Sequence, residues 1–186
     1  MSEGIDKFDE EYRQMVARNI KNNDPTVFHN GTIINAKDIV IQFLDAAKYS
    51  VEIMTGSMAE IFYNDKAIHD AFVSAAGRLP AGAIRIITTN TNEDEIRRIK
   101  SAIKEINNRA GKNNEESVVY RAAKYNGNAD DLRHFMLVDG MRYRWEFPHC
   151  RFSNDLNDVS AQVCCFDRDT VKERTAFFDA VWNKIA

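Results

Sequence analysis

The segment Phe135-Met136-Leu137-Val138 and the segment Arg142-Tyr143-Arg144-Trp145-Glu146 both alternate in character, and they meet at Asp139-Gly140. Asp followed by Gly suits a tight hairpin, because the favoured hairpin turns need positive φ at their central positions. Such a hairpin brings antiparallel neighbours into any sheet the chain builds. Upstream the pattern differs. The short apolar runs Val51-Glu52-Ile53-Met54 and Ala83-Ile84-Arg85-Ile86-Ile87 are each followed by a helix-length amphipathic stretch, which is the signature of parallel crossovers. A chain holding both patterns is expected to be α/β, with a mixed β-sheet sandwiched between helices.

The remaining elements fill in around these. Ile5, Phe8, Tyr12, Met15, Val16 and Ile20 recur at helical spacing, so residues 5 to 22 read as an amphipathic helix ending near Asn22-Asn23-Asp24-Pro25. Val27-Phe28-His29 is a short extended piece, and Asn30-Gly31 is a turn signal. Asn35 is a candidate cap for a helix carrying Ile39, Val40, Phe43 and Leu44. Asn64 is a candidate cap for one carrying Ile68, Phe72 and Ala76, stopping between Gly77 and Pro80. Thr91 and Asp94 resemble a capping box before Ile96, Ile99, Ile103 and Ile106. Val118 to Tyr120 and Ala161 to Phe166 read as strands, and Val171, Phe178, Val181, Trp182 and Ile185 mark a closing helix.

Composition excludes several function classes. The 186 residues carry a net charge of -3, without the basic excess that phosphate-backbone binding requires, so there is no strong nucleic-acid signal. No run approaches the ~18 apolar residues of a membrane span, and Met1 to Lys7 lack the apolar core of a signal peptide. A cytoplasmic protein without membrane attachment is expected. Cys150, Cys164 and Cys165 form no C-x-x-C pair, and His149-Cys150 lacks a spaced second pair of ligands. Buried reduced thiols, no metal and no cofactor are the resulting expectations. Met54, Met58 and Met136 read as core filling.

The order of elements, with strands ending at Met54-Thr55-Gly56-Ser57 and at Ile87, then Leu132 to Gly140 and the closing Phe166 to Trp182 segment, resembles a single phospholipase D-like domain. The resemblance covers residues 27 to 186 and leaves residues 1 to 26 as an N-terminal helix and turn. It implies a signature of H-x-K, four further residues and Asp, in which the His is nucleophile or general acid, the Lys grips phosphate and the Asp supports the site. It also implies paired motifs, from two halves or two identical chains, around one phosphate. When Leu137-Val138-Asp139-Gly140 is laid on the apolar-Val-Asp-Gly end of that signature, Asp139 keeps its place, His134 falls at the Lys position and Leu132 at the nucleophile position. Taking His134 as the nucleophile instead puts Met136 at the Lys position and Met141 at the Asp position. The first register keeps the Asp-Gly turn and reads the chain as a catalytically degenerate member.

Two readings of function follow. In the first, the domain is non-catalytic and homodimeric, and it binds a phosphate-bearing or polar ligand, or a protein partner, in the inherited cleft. In the second, it is a phosphodiesterase or nuclease with altered active-site residues, using His134 and Asp139. Arg133, Arg142 and Arg144 are candidate phosphate contacts because planar guanidinium groups match phosphate oxygens. Arg142, Arg144 and Glu146 also alternate with aromatic residues, as on a strand with a charged solvent face. Thr55, Gly56 and Ser57, and Thr89, Asn90 and Thr91, leave strands just before helical sequence, where open α/β sheets bind ligands and helix N-termini receive anions. Helix capping explains those hydroxyls equally well. Asp139 has turn chemistry as its competing role.

Overall fold

The computed structural model describes residues 2–56, 65–89, 92–112, 116–123, 134–147 and 160–185, with side chains from Asp9 onward. The strands are β1 (Phe28–Asn30), β2 (Val51–Thr55), β3 (Ile84–Thr88), β4 (Val118–Ala122), β5 (Phe135–Val138), β6 (Arg142–Glu146) and β7 (Ala161–Cys164). The helices are α1 (Ser2–Asn22), α2 (Ile33–Ala46), α3 (Lys66–Arg78), α4 (Glu93–Arg109) and α5 (Arg168–Lys184). One seven-stranded sheet has the order β1-β7-β6-β5-β2-β3-β4. The β2–β3 and β3–β4 pairs are parallel, while the β2–β5, β5–β6, β6–β7 and β1–β7 pairs are antiparallel. The mixed sheet expected from the sequence is therefore present, with helices on both faces.

Alternation along the strands separates two cores. On one face Val51, Ile53, Ile84, Ile86, Met136, Val138 and Val163 pack with apolar residues of α1 to α4. On the other, Met54, Ile87, Phe135, Leu137, Tyr143 and Cys164 pack with Val171, Phe178 and Trp182 of α5. Phe178 stacks on Trp182 at 5.7 Å between centroids and meets Phe135 edge-on at 6.4 Å. Arg85 of β3 reaches from the sheet to α5, 2.8 Å from Asp179, and also lies 3.2 Å from Glu52 of β2. Its guanidinium covers the Phe178 ring at 5.0 Å. Burial pushes the Glu52 carboxyl upward, and Arg85 offsets part of that shift. Cys164 and Cys165 are buried free thiols, and burial pushes Cys165 up to about 12.

The caps differ from the residues expected. Thr32, not Asn35, caps α2, accepting from the Asn35 backbone N–H, while Asn35 itself is buried inside the helix. Asp65 caps α3; Asn64 lies outside the described residues. Asn92 caps α4 through the N–H groups of Asp94 and Glu95; Thr91 lies outside the described residues. In each case another short polar side chain stood within three residues of the expected cap, and only the backbone geometry selects among them.

Helix α1 packs on the same face as α2 to α4. Val16 is fully buried, the Tyr12 ring meets Phe28 edge-on, and the Tyr12 hydroxyl donates to the His29 carbonyl at 3.0 Å. This placement also overturns one expectation about β6. Arg142 and Arg144 are 7% and 5% exposed, so they form no charged solvent face. They lie on the α1 side of the sheet, where Arg142 donates to Asn23 at the end of α1.

Candidate ligand-binding site

The hairpin determines which polar groups meet. Asp139 and Gly140 have φ of 55° and 66°, as an Asp-Gly turn requires. Met141 is an additional unpaired residue, so Val138 faces Arg142 across the ladder. Continuing that register sets Glu146 directly opposite His134, and the Glu146 N–H donates to the His134 carbonyl at 2.8 Å. Because cross-strand partners share a face, the two side chains also meet. His134 Nδ1 lies 2.9 Å from Glu146 Oε2, and the second carboxylate oxygen of Glu146 lies 2.6 Å from Arg144 Nη2. Arg144 Nε donates to Asn30 Oδ1 at 3.0 Å.

Asn30, Glu146 and His134 belong to one polar row that crosses the sheet at the carboxyl ends of its parallel strands, and Arg144 reaches it from one level below, where it pairs with Met136 and Val163. Asn30 pairs with Ala161, Ala161 with Glu146, and Thr55 with Thr88, which pairs in turn with Ala122. The Thr88 hydroxyl is 2.8 Å from the Tyr120 hydroxyl. One level below the row lies the apolar core of Ile53, Ile86, Met136 and Val163. The His134 side chain is 32% exposed, against 14% for Glu146 and 7% for Arg144. The imidazole is thus the most accessible member of its charged cluster.

Gly56 makes room for this ring. A Cβ built there would lie 2.9 Å from His134 Nε2, a separation that real Cβ atoms essentially never show. A side chain at position 56 would have to push the imidazole out of the row.

Asp139 occupies the other end of β5, five residues from His134 and therefore roughly 17 Å away along a strand. It is not a partner of the histidine. Its carboxylate accepts the backbone N–H groups of Lys48, Tyr49 and Ser50 at 2.8–3.1 Å, and Arg142 Nη1 at 3.3 Å. With a side chain only 2% exposed, Asp139 clamps the α2–β2 connection onto the hairpin. The sequence candidates therefore divide: Thr55, His134 and Arg144 come together at one end of the sheet, while Asp139 and Arg142 pair at the other. Thr89 lies just beyond the row, its N–H donating to the Thr55 carbonyl. The α4 helix after it begins with Glu93, Asp94 and Glu95, which already complement its N-terminal dipole. Ser57, Asn90, Leu132, Arg133, Met58, His149 and Cys150 lie outside the described residues.

Asn30 and Glu146 were not marked as site residues by sequence reasoning. The available signal was the hairpin register, which alone decides whether Glu146 or Trp145 faces His134. Among the described residues no cluster of three or more His, Cys, Asp or Glu is placed to hold a metal. Nor is any described helix long and apolar enough to cross a membrane.

Solved structures share this architecture. Nuc from Salmonella typhimurium, a phospholipase D family member, superposes over 86% of this chain and 95% of its own, with 20% identity and a TM-score of 0.56. The protein has a phospholipase D-like fold. NucT from Helicobacter pylori matches 85% of this chain and 96% of its own, at 13% identity and a TM-score of 0.54. TrmBL2, an archaeal chromatin protein described as having a novel mode of DNA binding, matches 98% of this chain at 17% identity and a TM-score of 0.60. This phospholipase D-like chain spans 62% of the length of TrmBL2. No family model and no curated protein sequence matches it.

Proposed function

We propose that this phospholipase D-like domain binds a phosphate-bearing ligand at the polar row around His134 and does not cleave it. The observation that carries the reading is the commitment of the candidate arginines among the described residues. Arg144 beside His134 is paired with Glu146, Arg142 is held by Asp139 at the far end of the sheet, and the position expected to hold Lys holds His134. Phosphodiester cleavage needs a nucleophile together with cationic stabilisation of charge developing on the phosphoryl oxygens. Leu132 at the nucleophile position supplies neither. A partly exposed imidazole whose Nδ1 is braced by Glu146 recognises a phosphate oxygen by donating through Nε2 in its imidazolium form.

In this reading residues 27 to 186 form the ligand-binding domain and residues 1 to 26 form the helix that covers Arg142 and Arg144. The protein is a homodimer that brings two His134 side chains to one ligand, and its expected mass in solution is twice the 21.3 kDa of the chain. A small phosphate ester suits the site better than a long nucleic acid, given the net charge of -3 and the acidic start of α4. A protein partner presenting a phosphate group would engage the same contact.

One observation favours the second reading, a phosphodiesterase. Glu146 braces Nδ1 of His134, an arrangement that suits a nucleophilic or proton-donating Nε2. Incubating wild type and His134→Ala with bis(para-nitrophenyl) phosphate and with single-stranded DNA separates the two. The binding reading predicts no turnover by wild type and a weaker complex for the variant. Turnover that disappears in His134→Ala would replace it with the phosphodiesterase reading.

A further inference from the structure

We propose that Asn30 and Arg144 are positioning residues for His134, acting through Glu146 as a relay from the edge strand β1 to the imidazole on β5. The proposal rests on reading His134 as the ligand contact, and it adds what sets the state of that contact. Four side chains form an unbroken chain: Asn30 Oδ1 to Arg144 Nε at 3.0 Å, Arg144 Nη2 to Glu146 Oε1 at 2.6 Å, and Glu146 Oε2 to His134 Nδ1 at 2.9 Å. Asn30 is itself fixed, being 1% exposed with its Nδ2 donating to the Thr32 carbonyl at 2.8 Å, which leaves only Oδ1 to face the guanidinium.

The geometry has a chemical consequence. A guanidinium has no acceptor and a carboxylate has no donor, so the polarity of every link is determined. Arg144 donates to Asn30 through Nε and faces Glu146 as a close ion pair, its Nη2 making no hydrogen bond. The Glu146 carboxylate, beside that guanidinium, accepts from His134 Nδ1. The neutral imidazole is then held with its proton on Nδ1, and Nε2 carries the lone pair or, in the imidazolium, a second proton. Gly56 supplies the complementary feature at Nε2 by leaving that side of the ring without a Cβ. Ala161, between Asn30 and Glu146 in the row, is small enough for Arg144 and Asn30 to meet across β7. The relay therefore selects one tautomer and one ring orientation, a role that burial of the same residues alone would not require.

The test reads the tautomer directly. Imidazole-nitrogen NMR on the full-length protein at about pH 8, where histidine is ordinarily neutral, is expected to show His134 protonated at Nδ1. Glu146→Gln, whose amide can donate to Nδ1, is expected to shift the population to the Nε2 proton. Asn30→Ala is expected to give a mixture of tautomers at that pH and, at about pH 5.5 where histidine is ordinarily protonated, to weaken binding of bis(para-nitrophenyl) phosphate on the order of tenfold, as loss of groups that orient a ligating histidine does. A wild-type His134 protonated at Nε2 overturns the proposal without any variant, and so stays decisive if Asn30→Ala fails to fold. An Asn30→Ala protein with the wild-type tautomer and wild-type affinity overturns it as well. Should the tautomer respond while wild type binds no phosphate probe, the positioning chain stands and the ligand reading falls.

Discussion

At the hairpin end of the sheet the Asp139 carboxylate receives three consecutive backbone N–H groups and a guanidinium, and its side chain is almost fully enclosed. Roughly 17 Å away at the other end of the same strand, the His134 imidazole is one-third exposed, with one ring nitrogen braced by Glu146 and the other turned toward the gap at Gly56. Both ends are polar and both hold an acid beside an arginine. They differ in what the polar groups do. A carboxylate whose acceptor sites are filled from its own chain has become part of the scaffold. An oriented and partly exposed imidazole is placed to meet something outside. The signature that joins these residues along the sequence thus spans one structural clamp and one candidate contact.

That contrast is open to attack from either side. Asp139→Ala should produce the largest change, because it unpairs buried Arg142 and three backbone donors. A loss of about 3–5 kcal/mol is expected in denaturant unfolding, and a loss below about 1 kcal/mol would show that Asp139 is not a clamp. Arg142→Ala leaves the three backbone bonds to Asp139 intact, so a smaller loss of about 2 kcal/mol is expected by the same measurement. His134→Ala should do the reverse of Asp139→Ala. Its stability should change by less than about 1 kcal/mol, since the side chain is partly exposed, while affinity for a phosphate probe measured by calorimetric titration should fall about tenfold, equal to about 1.4 kcal/mol.

A pH series sharpens the comparison more gently. Tyr12 on the His134 face and Cys165 beside the hairpin end are both pushed up to about 12, chiefly by burial. Each ionises first in the unfolded chain, from ordinary values of 10.0 and 9.0, so above about pH 9 the unfolded state binds fewer protons than the folded one. Their stabilising contribution is complete below that pH and is lost as pH rises through the folded values. The urea midpoint should decline between pH 9 and 12, and Cys165→Ala should flatten the early part of the decline.

The elements were largely legible in the sequence because apolar periodicity is a local property. The runs at Val51 and Ile84 became adjacent parallel strands, and Phe178 and Trp182 became the buried side of a closing helix. The site was legible only in part. Its histidine could be picked out by chemistry, but its partner depends on a single residue of register. A two-residue Asp139-Gly140 loop would set Trp145 opposite His134 and turn Arg142, Arg144 and Glu146 toward α5. The extra residue Met141 shifts the ladder by one and delivers all three charged side chains to the histidine's face. The arginines were misread as solvent-facing for a related reason, since alternation separates two faces without saying which helix covers either. The aromatic content of β6 likewise lends little to dimerisation, because β6 lies inside the sheet and Tyr143 is buried in its core.

The central claim is that external ligands meet this fold at the His134 end and not at the Asp139 end. Amide NMR spectra recorded during titration with bis(para-nitrophenyl) phosphate test it most directly. The account predicts concentration-dependent shifts at Thr55, Gly56, His134 and Glu146, with Lys48 to Ser50 and Asp139 to Arg142 unmoved. Shifts confined to the hairpin end, or none at His134 at saturating probe, would contradict it.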